Sequence, residues 1–125
     1  MDFIAQNFLS LAKAIHVLSP RYDNIYLPIK GSFAYDLIGD CKGSIHKVKV
    51  FHTESKAPSG SYIVNIRKSG GYNKGNTQKK PFDPNMCDVV FIDSPEGCYF
   101  IPSHQIDQKR AITLSMFREF FIKSS

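Results

Sequence analysis

Apolar residues recur at steps of three and four over residues 3–18, where Ile4, Phe8, Leu11, Ala12, Ile15 and Leu18 make one stripe and predict an amphipathic helix. Ser19-Pro20 then stops it, because proline has no backbone N–H and restricts the residue before it. Beyond that point the pattern alternates. Asn24 to Ile29, with Pro28 near its end, predicts a short strand, and Lys30-Gly31-Ser32 turns the chain into a second one, Phe33 to Ile38. Gly39-Asp40-Cys41-Lys42-Gly43 has the composition of a hairpin loop, and a third strand runs from Ile45 to about Thr53. Ala57-Pro58-Ser59-Gly60 closes that strand, and Tyr62 to Ile66 begins a fourth.

Residues 68–84 are polar, with Gly70, Gly71 and Gly75 set among Lys68, Tyr72, Lys74, Lys79 and Lys80, which predicts a basic loop. Asp88 to Ile92 and Cys98 to Pro102 flank Asp93-Ser94-Pro95-Glu96-Gly97 and predict a β-hairpin. Ser115 to Lys123, carrying Phe117, Phe120 and Phe121, predicts a closing helix capped by Ser115. Helix, five or six strands and helix together suggest an α/β (α+β) fold with a central mixed β-sheet flanked by helices. A chain of 125 residues, 42% of them hydrophobic, suits one domain over residues 1–125.

Charge adds a partner class. A net charge of +5 and a pI near 9.2 favour a polyanion, because clustered Lys and Arg gain free energy by releasing counterions from phosphates. Cys41, Cys87 and Cys98 form no Cys-x-x-Cys pair, and an odd number leaves one unbridged, so a reducing cytoplasm is expected. The stretch Phe3 to Leu18 is interrupted by Gln6, Asn7, Lys13 and His16, unlike a secretory signal, and no apolar run approaches the roughly 20 residues that span a bilayer.

Two residues carry candidate chemistry. Asp36 stands in the otherwise apolar run Tyr35-Asp36-Leu37-Ile38, either as a hard oxygen ligand for a divalent ion or as a structural cap on the nearby turn. Lys49 lies on the next strand with Lys47 and Phe51 on the same face, either in solvent or placed to stabilise charge at a phosphate. Glu54-Ser55-Lys56 is a literal acidic-x-Lys string, but it falls where the strand runs into the Pro58 turn. His16, His46, His52 and His104 lack zinc-site spacing; His52, which period two puts on the face opposite Lys49, is the one worth a test.

Taken in order, Tyr35-Asp36-Leu37-Ile38, Lys47-Val48-Lys49-Val50, Val64-Asn65-Ile66-Arg67, Asp88 to Glu96 and Tyr99-Phe100-Ile101-Pro102 resemble the PD-(D/E)XK endonucleases encoded in group I introns, from about residue 2 to residue 107. The resemblance implies a restriction-endonuclease-like fold, Mg²⁺-dependent cleavage of duplex DNA, and assembly of some members into homodimers or homotetramers. The family pattern carries a Glu on the first helix, an Asp in the Tyr-Asp-Leu element and Gln-Val-Lys on the next strand. Here those positions hold Gln6, Asp36, Lys49 and Phe51, so only the Asp is retained.

The resemblance thus implies a nuclease scaffold with a degenerate site, binding nucleic acid with weakened or lost cleavage. The alternative is an active nuclease with a rearranged site: Asp36 as metal ligand, Gln6 positioning water and Lys49 near the scissile phosphate. In either, Arg67, Lys68, Lys74, Lys79 and Lys80 would neutralise phosphates and Tyr72 would stack or pack in a groove.

Overall fold

A computed structural model describes residues 3–30, 34–66 and 81–124, with residues 3–7 and 124 as backbone. Helix α1 spans Phe3–Leu18 and passes into a 3₁₀ turn at Ser19–Arg21, where the Ser19 hydroxyl donates to the Ile15 carbonyl at 2.6 Å. Among the described residues eight strands follow: β1 Asn24–Tyr26, β2 Leu37–Cys41, β3 Ser44–His52, β4 Ile63–Asn65, β5 Val89–Ser94, β6 Gly97–Pro102, β7 Ala111–Thr113 and β8 Phe121–Ser124. Six of them form one sheet in the order β1-β2-β3-β5-β6-β8, and β4 pairs with β7 in a separate ribbon. The large sheet is mixed, since β3 and β5 run parallel while the other neighbours are antiparallel.

Strand alternation distributes side chains to two cores. Leu37, Val48, Val89, Phe91 and Cys98 face α1 and pack with Ala14, Leu18 and Tyr22. On the opposite face, Val90, Ile92, Tyr99 and Ile101 pack with Val64 and Ile112 of the ribbon, with Phe51 and Tyr35 at the margin. Strand β5 is buried along its whole length, as expected of a central strand whose two faces are both covered.

Several expected boundaries move. The β2–β3 connection is shorter than its composition suggested: Gly39 to Cys41 belong to β2, and the turn is only Lys42-Gly43, both at positive φ (52° and 87°). That is the two-residue geometry whose twist matches paired strands. Strand β2 accordingly begins at Leu37, leaving Asp36 just outside it.

The apolar stripe of α1 is also rotated from the expected one, because Phe8 and Ala12 are exposed whereas Ser10, Ala14 and Leu18 are buried. The predicted closing helix is instead a 3₁₀ segment, Leu114–Phe120, followed by β8, and Ser115 caps nothing. Phe117 breaks helical geometry at φ −123° and ψ 29°, and Phe121 joins the sheet with its ring edge-on to Tyr99 at 5.3 Å. Pairing with β6 outweighs a weak local helix preference.

Candidate functional site

Asp36 lies where the pairing of β2 with β3 ends. Its backbone N–H donates to the Val48 carbonyl at 2.8 Å, and its Oδ2 accepts the Val50 N–H at 2.7 Å. The side chain therefore extends the β2–β3 ladder past the last paired residue, which is the capping role open to it from sequence. The same Oδ2 lies 3.5 Å from Lys49 Nζ, with the two side chains 29% and 24% exposed. The pair is thus held by the sheet yet open to an arriving ligand.

Phe51, which the resemblance sets at the family's Lys position, packs against the core on the side of the sheet away from α1. A core ring offers neither charge nor hydrogen-bond donors. Lys47, the other lysine of this strand face, lies over the Tyr35 ring at 5.7 Å, and its backbone N–H donates to Asp88 Oδ2 at 2.7 Å. Of the expected site residues, the fold brings Asp36 and Lys49 together. Gln6 lies within α1, with its side chain outside the described residues, and Arg67, Lys68, Tyr72, Lys74, Lys79 and Lys80 lie outside them as well.

The ends of that basic segment are nevertheless placed. Ile66 N–H donates to the Arg110 carbonyl at 3.1 Å, Phe82 N–H to the Lys109 carbonyl at 2.8 Å, and Gln108 N–H to the Phe82 carbonyl at 3.1 Å. Lys109 and Arg110 are exposed beside the point where the segment leaves and rejoins the fold. They gave no sequence signal, since nothing in the chain order ties residues 108–110 to residues 66 and 82.

A second polar cluster occupies the α1 face. Asp93, only 7% exposed, accepts from Lys13 Nζ at 2.9 Å and from the Ser10 hydroxyl at 3.4 Å, and its Oδ2 lies 3.1 Å from His52 Nδ1. The hydrogen bond to Asp93 raises the Lys13 pKa against the opposing effect of desolvation. His52 Nε2 lies 3.4 Å from the exposed Glu54 carboxylate without a formed hydrogen bond. Glu54 is thereby turned toward His52, and Lys56 lies over the Tyr62 ring at 5.1 Å, so the Glu54-Ser55-Lys56 string is dispersed among other contacts.

The family model for PD-(D/E)XK endonucleases matches residues 9–119. The chain belongs to the PD-(D/E)XK endonuclease family. Among solved structures it is similar to a bacterial homing endonuclease, I-Ssp6803I, with a TM-score of 0.75 and 22% identity over 91% of this chain and 78% of that one. That likeness establishes a shared fold. No curated protein sequence matches the chain.

Nucleases of the PD-(D/E)XK family generally use a divalent metal, and the described residues do not fit one. Among the described residues, no group of three or more His, Cys, Asp or Glu side chains converges as a metal site. Asp36 has an ammonium beside it where a second oxygen ligand would be required. Like charges repel, so the Lys49 ammonium opposes a dication at the same carboxylate. The donor set thus disfavours Mg²⁺.

Proposed function

We propose that this chain is a nucleic-acid-binding member of the PD-(D/E)XK endonuclease family, directed to duplex DNA, in which metal-dependent phosphodiester cleavage is weakened or lost. The pairing of Asp36 with Lys49 in place of a second acidic residue carries this reading. Phe51 at the family's Lys position removes a second element of the cleavage machinery, and Gln6 replaces the Glu of the first helix.

Charge distribution supports binding. Residues 67–80 contain Arg67, Lys68, Lys74, Lys79 and Lys80 and no acidic residue, an excess equal to the whole net charge of +5. Lys109 and Arg110, at the base of that segment, extend the basic surface, and phosphate contacts of this kind give affinity without reading sequence. Assembly into a homodimer or homotetramer, as the resemblance implies, belongs to the same reading and is measured by light scattering.

The test incubates the protein with a random-sequence duplex DNA library and Mn²⁺, with Asp36→Ala as control, and counts bound and cleaved molecules separately. Binding without cleavage, unchanged in Asp36→Ala, is expected. Asp36-dependent cleavage would overturn the reading in favour of an active nuclease with a rearranged site, in which Asp36 holds the metal, Lys49 meets the scissile phosphate and Gln6 positions water.

A further inference from the structure

We infer that Lys49 is the resident cation of the Asp36 site: its ammonium does permanently what a divalent ion does beside paired carboxylates, so the site receives a phosphate without metal. The phosphate half of this inference rests on the nucleic-acid-binding reading above; the metal half does not. Asp36 Oδ2 is engaged twice, by the Val50 N–H at 2.7 Å and by Lys49 Nζ at 3.5 Å. The backbone bond fixes the carboxylate, and the carboxylate in turn holds the ammonium at the edge of the sheet.

Among the described residues, three carboxylates on or beside β3 and β5 are turned to other groups. Asp88 accepts the Lys47 N–H at 2.7 Å, Asp93 holds Lys13 at 2.9 Å on the other face, and Glu54 is turned to His52 at 3.4 Å. Recruiting a second oxygen ligand for a metal would break one of these contacts, whereas the lysine requires none of them. With its side chain 24% exposed, Lys49 can exchange a carboxylate oxygen for a phosphate oxygen by a small swing of its stem. A compact ammonium suits that exchange, and its single charge leaves Asp36 neutralised in the free protein.

The experiment records amide NMR spectra of the full chain during Mn²⁺ titration, with the Val50 N–H as the reporter because it touches Asp36. The Val50 signal is expected to keep its intensity; selective broadening that disappears in Asp36→Asn would overturn the inference. Lys49→Glu, which supplies a second carboxylate, is expected to gain at least about tenfold in Mn²⁺ affinity with broadening at Val50. A folded Lys49→Glu protein with no gain would also overturn it, and should that variant not fold, the wild-type titration decides.

In a second arm, duplex DNA affinity is compared in EDTA and in Mn²⁺ at fixed ionic strength, and it should agree within about twofold, while Lys49→Gln should lower the salt slope by about one. An unchanged slope would overturn the phosphate contact. Failure of the wild-type protein to bind duplex DNA at all would overturn the proposed function and the phosphate half together, and the Val50 result, taken on protein alone, separates that failure from a failure of the metal argument.

Discussion

Asp36 combines a structural and a chemical role in one carboxylate. By accepting the Val50 N–H it finishes the β2–β3 ladder, and by holding Lys49 it sets the charge of the site. Truncation to alanine is expected to leave duplex DNA affinity within about twofold, because the ammonium it releases remains available to phosphate, and to cost roughly 1 kcal/mol in stability for the orphaned amide. The shift of the urea midpoint reads the second effect. Tyr99 offers a separate test of burial. Desolvation, followed by its 2.6 Å hydrogen bond to Glu96, pushes its phenol up to about 12 from an ordinary 10. The folded state therefore keeps a proton that the unfolded chain loses, so this contribution is fully present below pH 10 and is lost as pH rises toward 12. Spectrophotometric titration should find Tyr99 ionising late, together with Tyr22, whose phenol burial also raises, and Tyr99→Phe should flatten the fall in stability toward pH 12.

At the scale of elements, α1 is fastened to the sheet by polarity as well as by packing. Asp93 receives Ser10 and Lys13 from the helix and faces His52 from β3, which explains why the buried stripe runs through Ser10 and Ala14 instead of Phe8 and Ala12. Asp93→Ala would leave Lys13 and His52 facing a cavity, with an expected loss of about 2–4 kcal/mol in denaturant unfolding. Lys13→Met should also cost stability, because it leaves the Asp93 carboxylate, only 7% exposed, without its ammonium partner. The β6–β8 pair depends on Gly97, at φ 147°, where an added methyl would collide with the Lys123 carbonyl and the Phe121 ring. Gly97→Ala is therefore expected to release β8 from the sheet, seen as loss of hydrogen-exchange protection in Phe121–Ser124 while β3 and β5 keep theirs.

For the whole molecule, the mixed sheet separates two environments. One face buries α1 with its Asp93 cluster, and the other carries the β4–β7 ribbon, the Asp36–Lys49 pair at its margin and the stems of the basic segment. Binding driven by that segment should weaken with salt, and replacing Lys74, Lys79 and Lys80 by alanine should lower the log–log salt slope by up to about three. An unchanged slope would remove residues 74–80 from the interface. Among the described residues, no helix is long and apolar enough to cross a membrane.

Local pattern was enough to determine the first helix and its proline stop, most of the central strands and the hairpin through Pro95-Glu96. These depend on neighbours a few residues apart, and periodicity records such neighbours directly. The resemblance implied that only the Asp of the family's site is retained. Tertiary structure decided what Asp36 touches, because a carboxylate at a strand end can cap or coordinate, and only the register of β2 on β3 brings Lys49 and the Val50 N–H to it. It decided the rotation of α1, since Asp93 lies 83 residues from Ser10 in sequence, and it turned an aromatic, helix-like C-terminal segment into an edge strand. In each case a long-range polar bond or strand pairing outweighs a local preference of only a few tenths of a kcal/mol per residue.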